Sequence, residues 1–128
     1  MACVLDASAV LCLLFSEKGA EKVEARLGDA SISVVNYTEV LSKLVDRGLN
    51  AEEAIRDLSD LDITVLPVGQ EVAEEAARLL SLSKEAGLSL GDRFCLALAR
   101  SLDVPALTTD RAWKDIAKPA GVKVELVR

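Results

Sequence analysis

The sequence predicts an α/β fold of three layers, with helices on both faces of a central, mostly parallel sheet of five strands. Three observations predict it. Five short segments rich in Val, Ile and Leu are spaced along the chain. Segments of helical period lie between them, long enough for the crossovers that parallel pairing needs. The 128 residues are 51% apolar yet only 3% aromatic, which suits a single domain over residues 1–128 with one aliphatic core.

In chain order, Ala2–Leu5 reads as the first strand, followed by helical segments at Ala7–Phe15 and Ala20–Leu27. Ser31–Val35 reads as the second strand. The next helix, Tyr37–Arg47, places Val40, Leu41, Leu44 and Val45 on one face. Ala51–Leu61 opens behind Asn50, a good N-cap, with Glu52 and Glu53 in its first turn. Ile63–Val68 is the third strand. Gln70–Ala86 reads as one long amphipathic helix stopped by Gly87. Helix Arg93–Leu102, strand Ala106–Thr108, helix Arg111–Ala117 and strand Val122–Val127 complete the series.

The chain has no histidine, which removes Ser-His-Asp and Cys-His catalysis, His-bound zinc and the usual neutral-pH proton shuttle. Its three cysteines, Cys3, Cys12 and Cys95, lie in apolar stretches without metal-site spacing and read as buried, reduced thiols. No apolar run reaches the roughly 18 residues of a membrane span. Residues 7–15 are apolar enough for a signal-peptide core, but Asp6 precedes them and no basic segment does. The expectation is therefore a cytoplasmic, unprocessed protein with no membrane partner. A net charge of −6 is not that of an obvious nucleic-acid binder; it suits divalent cations or a basic partner.

Four acids fall where the alternation puts one edge of the sheet. Asp6 follows the first strand in VLDASAVL. Glu39 lies just past the second in NYTEVL. Asp92 opens a helix in SLGDRFCLALA, and Asp110 follows the fourth strand in ALTTDRAW. Each has a plain structural explanation. Asp6 and Asp110 can N-cap the helices behind them, and Asn36-x-x-Glu39 and Ser89-x-x-Asp92 both resemble capping boxes. Caps alone, however, need not share one edge. Several sheltered carboxylates without a basic neighbour call for a compensating cation, and an oxygen-only cluster suits Mg²⁺ or Mn²⁺.

Taken together and in order, these four motifs resemble the PIN domain, and most closely the small VapC-type toxins of toxin–antitoxin pairs. The resemblance covers essentially the whole chain. It implies a PIN-like parallel sheet and a metal-dependent ribonuclease with Mg²⁺ or Mn²⁺ as cofactor. Carried over by motif, Asp6, Glu39, Asp92 and Asp110 would form the catalytic, metal-holding quartet. Ser8 and Thr108 would be hydroxyls that hydrogen-bond carboxylates or metal-bound water. It further implies an RNA substrate, a homodimer and a cognate antitoxin.

Candidate RNA contacts are Arg93, Arg111 and Lys114, together with Lys43 and Arg47. Tyr37 and Trp113 can stack on bases, but with so few aromatics core packing or a subunit contact is the expected role of both. Surplus apolar residues on Ala7–Phe15 and Tyr37–Arg47, including Leu14 and Leu44, suggest a groove for an antitoxin segment. That segment would carry apolar anchors followed by a basic residue aimed at the acids. Competing readings are a non-catalytic acidic interaction module and a housekeeping RNA-processing nuclease without an antitoxin. A haloacid-dehalogenase-type phosphatase would need a second Asp where Ser8 stands. A receiver domain would need an Asp after the third strand, where the chain has Leu66-Pro67-Val68.

Overall fold

Cys3, Val4 and Leu5 are consecutive and all buried, at 1%, 0% and 0% exposure. Alternate residues of a strand point to opposite faces, so three buried in a row require cover on both sides. A computed structural model describes residues 2–128, with side chains for all of these except 83–85, and it supplies that cover. The strands are Cys3–Leu5 (β1), Ala30–Ser33 (β2), Thr64–Leu66 (β3), Ala106–Thr108 (β4) and Val124–Leu126 (β5). The helices are Ala7–Leu14 (α1), Ala20–Glu24 (α2), Val34–Asp46 (α3), Ala51–Ser59 (α4), Gln70–Arg78 (α5), Leu80–Ala86 (α6), Leu90–Leu102 (α7) and Trp113–Ala120 (α8).

The strands run in the order β3-β2-β1-β4-β5, and every pairing is parallel rather than mostly so. β1 is central: Val4 pairs in register with Ser31 on one side and with Ala106 on the other. Cys3, Leu5, Ile32 and Leu107 meet α1, α3 and α4 on one face. Val4 and Ala106 meet α7, α8 and Ala76 of α5 on the other. The three thiols are free and buried, and burial raises their pKa values.

Several boundaries differ from expectation, each for a local reason. Val34 and Val35 belong to α3 rather than to β2, because Ser33 Oγ accepts from the Asn36 amide at 3.1 Å and starts the helix early. Asn36 is thus inside the first turn and is not a cap. The segment Gln70–Ala86 divides at Leu79, which turns into the core with no Gly or Pro to mark the break. The two halves then pack on different partners, α5 on α7 and α6 on α8. α7 begins three residues early, at Leu90, because the Ser89–Asp92 capping box is formed. Residues 111 and 112 form a turn, and α8 starts only at Trp113. Among the described residues, no helix is long and apolar enough to cross a membrane.

Candidate active site

In a parallel sheet, the loops beyond the carboxyl ends of the strands are where separate chain segments converge. Here β1 ends at Asp6, β2 runs into α3 with Asn36 and Glu39, and β4 ends at Thr108 ahead of Asp110. Helix α7 packs on both α3 and β1 and brings Asp92 to the same edge.

Asp6 is the buried hub, at 3% exposure. Its carboxylate accepts from the Ala9 amide at 2.8 Å, which caps α1, from Ser8 Oγ at 2.7 Å and from Thr108 Oγ1 at 2.6 Å. Each hydroxyl also accepts a backbone amide from beyond β4: Ser8 Oγ from Thr109 at 3.1 Å, Thr108 Oγ1 from Asp110 at 3.0 Å. Burial pushes the Asp6 pKa up to about 6 despite those three donors, and the nearby Asp92 charge adds to the rise.

Glu39 is held by two residues, one of which the capping interpretation assigns a different role and the other of which it leaves out. Asn36, only 1% exposed, donates from Nδ2 to Glu39 Oε1 at 2.7 Å and to the Gly91 carbonyl at 3.0 Å. Gly91 is the second. A Cβ there would stand 2.1 Å from Glu39 Oε1, so the carboxylate rests directly against the α7 backbone. Burial raises the Glu39 pKa, Asn36 opposes the rise, and Asp92 adds to it. The signal for Asn36 was its place one turn before Glu39; Gly91 gave none beyond its neighbour Asp92.

Asp92 accepts from the Ser89 amide at 2.9 Å while Ser89 Oγ accepts from the Asp92 amide at 3.1 Å. Burial raises its pKa too, and Asp110 contributes. Asp110 is exposed and accepts from the Ala112 amide at 3.0 Å, so it caps the turn before α8. The four acids therefore share one edge, and their fields reach one another in a chain: Asp6 and Glu39 to Asp92, and Asp92 to Asp110. They do not form a closed cage. Among the described residues, no three or more Cys, Asp or Glu side chains stand where they could jointly hold a metal ion. The donor chemistry, carboxylate oxygens with hydroxyl support and no cation paired to any of the four among the described residues, suits a hard divalent ion.

This all-parallel sheet with acids at the strand ends has a family attached to it. The PIN domain family matches residues 3–119. The chain belongs to the PIN domain family. No curated protein sequence matches this PIN domain. Its fold is similar to solved structures of other proteins. One is VapBC-1 from nontypeable Haemophilus influenzae, with TM-score 0.72 and 21% identity over 99% of this chain and 98% of that one. Another is DNA-bound VapBC from Salmonella typhimurium, with TM-score 0.76 and 15% identity over 100% and 99%. A third is VapBC-5 from Mycobacterium tuberculosis, described as a toxin–antitoxin system, with TM-score 0.65 and 25% identity over 98% and 99%.

The basic and aromatic candidates separate by environment. The Arg93 guanidinium faces α5, where Nη1 donates to the Ala76 carbonyl at 2.9 Å, so it turns away from the acids. Arg111 and Lys114 are exposed beyond Asp110. Trp113 is fully buried and Tyr37 packs against the core, the expected role of both, so base stacking does not apply to Trp113. Of the apolar residues expected to line a groove on α1 and α3, Leu11, Leu14, Phe15 and Leu41 are half-buried and Val45 is exposed, while two belong to the core. Val40 and Leu44 are 0% and 4% exposed because they fill the layer between α3 and the sheet.

Proposed function

We propose that this PIN domain is a metal-dependent ribonuclease, hydrolysing RNA phosphodiester bonds endonucleolytically, and the toxin of a type II toxin–antitoxin pair. The observation that carries the reading is Asp6: a buried carboxylate given three hydrogen-bond donors but no counter-charge, beside three further acids. A buried anion in that state is costly and is relieved by a cation. Bound Mg²⁺ or Mn²⁺ would lower the pKa of a water and neutralise charge on the phosphoryl group. Asp6 and Asp92 would be the most direct ligands, with Glu39 and Asp110 ligating directly or through water. Ser8 and Thr108 orient the Asp6 oxygens, and Asn36 with Gly91 fixes Glu39.

The toxin role is supported by the similarity to structures described as toxin–antitoxin complexes. The proposed partner is an antitoxin whose C-terminal segment brings a basic residue to the acids. A homodimer in the cytoplasm completes the proposal; Leu90, 58% exposed two residues from Asp92, and Val34, 41% exposed, give the site an apolar rim. Sedimentation showing monomer alone at tens of micromolar would count against the dimer. The open arrangement of the acids favours one competing reading, a non-catalytic acidic module. Purified protein incubated with RNA and Mg²⁺ or Mn²⁺ decides between them. Cleavage that EDTA, Asp6→Asn or Asp92→Asn abolishes is the expected result, and a folded, metal-loaded protein that leaves RNA intact refutes the nuclease.

A further inference from the structure

Five cations of the described surface are committed. Arg26 pairs with Glu125, Arg78 and Arg100 with Glu75, Arg128 with Glu17, and Arg93 with a backbone carbonyl. Lys43 and Arg47 are among the remaining cations, and they line a pocket that Ser8 also lines. Both are exposed, and neither stands in an ion pair among the described residues. Lys43 on α3 and Arg47 at its C-cap follow Glu39 at steps of four residues, so the three lie along one face, each about 6 Å further from the acids. Lys43 is near enough for its charge to act on Glu39. The Arg47 guanidinium lies over the Phe15 ring, 4.1 Å from its centroid, which fixes its plane.

Lys43, Arg47 and Phe15 line an open, shallow pocket of about 240 Å³ between α1 and α3, together with Arg128, Thr109 and Ser8. Ser8 is shared with the acid site: its hydroxyl donates to Asp6 and accepts from Thr109. The pocket therefore opens directly beside the catalytic centre. Three of its lining side chains are cationic and one, Glu17, is acidic, on a chain whose net charge is −6. We propose that this pocket is the subsite for the backbone phosphates next to the scissile one in a single-stranded RNA. The proposal rests on the ribonuclease reading. It answers how an acidic protein holds a polyanion: an acidic centre takes the scissile phosphate through its cation, and Lys43 and Arg47 take the neighbours directly. A guanidinium held flat matches two phosphate oxygens, while lysine acts as a point charge, so the pair positions the strand without reading its bases.

The test uses the full chain. Binding of a short fluorescent single-stranded RNA is followed by anisotropy across a salt series with Mg²⁺ present, in the Asp6→Asn background to stop cleavage. Each lost phosphate contact lowers the slope of log K against log salt by about 0.7, so Lys43→Ala with Arg47→Ala should lower it by about 1.4. Arg47→Lys should keep most of the slope, and Lys123→Ala, at the far end of the strands, all of it. In the otherwise wild-type chain, the double variant should raise KM for RNA with kcat nearly unchanged, and circular dichroism should show it folded. If the wild-type chain cleaves RNA while slope and KM are unchanged in the double variant, the pocket proposal alone is overturned. If the wild-type chain neither binds nor cleaves RNA, the ribonuclease reading falls and the pocket with it. A double variant that keeps its RNA slope but loses a protein partner makes the pocket a protein-docking surface, and this too overturns the proposal.

Discussion

Thr108 Oγ1 donates to Asp6 Oδ2 at 2.6 Å, joining the ends of the two adjacent strands β1 and β4. The same oxygen accepts the Asp110 amide at 3.0 Å, so one hydroxyl links two of the four acids. Thr108→Val keeps the shape and removes both bonds. The expected cost is about 1–3 kcal/mol, because a buried carboxylate oxygen loses a donor. Thr108→Ser should restore most of it. Urea denaturation of the two variants measures the difference, and equal stabilities would show that the hydroxyl does not matter.

Asp6 gives the metal-free protein a pH dependence of defined sign. Its pKa is raised to about 6 in the fold from 3.8, so the folded state holds the proton more tightly. The stabilisation this gives is fully present below about pH 4 and is lost as pH rises through about 6, by roughly 3 kcal/mol at most. Asp6→Asn should therefore be more stable than wild type at pH 7 in EDTA, with the gap closing towards pH 4. Denaturation midpoints at pH 4, 5, 6 and 7 check it.

Metal should act in the opposite direction. A cation that binds only the folded state stabilises by RT ln(1 + [L]/Kd). Millimolar Mn²⁺ or Mg²⁺ should raise the Tm of the wild-type chain, and Asp6→Asn should abolish most of that rise. An equal rise in both proteins would mean that the ion binds elsewhere.

Gly91→Ala puts a methyl where the Glu39 carboxylate sits, with Glu39 Oε1 2.1 Å away. A flexible side-chain end can move aside, so the fold should survive with little change in Tm. Glu39 should lose its place and its bond to Asn36, and RNA cleavage should drop. Circular dichroism beside a cleavage assay separates this result from simple unfolding.

Leu44 belongs to the core at 4% exposure, and Leu44→Glu should unfold the protein rather than free it from an inhibitor. A folded Leu44→Glu protein by circular dichroism would contradict that placement.

What could be read in the sequence was what is local. Strands buried on both faces show as unbroken Val and Leu runs, and acids at strand ends show by position, so Asp6 and Asp110 could be placed from the alternation, while Ser8 and Thr108 came only with the family resemblance. The supports of Glu39 could not. Asn36 and Gly91 are 55 residues apart in sequence, and their contact exists only once α7 packs on α3. A capping reading explains the same Asn36 with less, and only the early start of α3 at Ser33 removes it. The break at Leu79 was equally silent, since it answers to two packing partners rather than to a breaker residue. Arg93 misled because adjacency to Asp92 says nothing about which way a side chain on a helix points.

The central position of β1 has a consequence for synthesis. β1 leaves the ribosome about a hundred residues before its neighbour β4, and the Asp6–Thr108 bond spans 102. Until Thr108 and Asp110 emerge, Asp6 lacks its β4 partner and the edge lacks its fourth acid. Pairings this distant in sequence form late and fold slowly. A nascent chain in which β4 has not yet docked thus carries an incomplete set of acids.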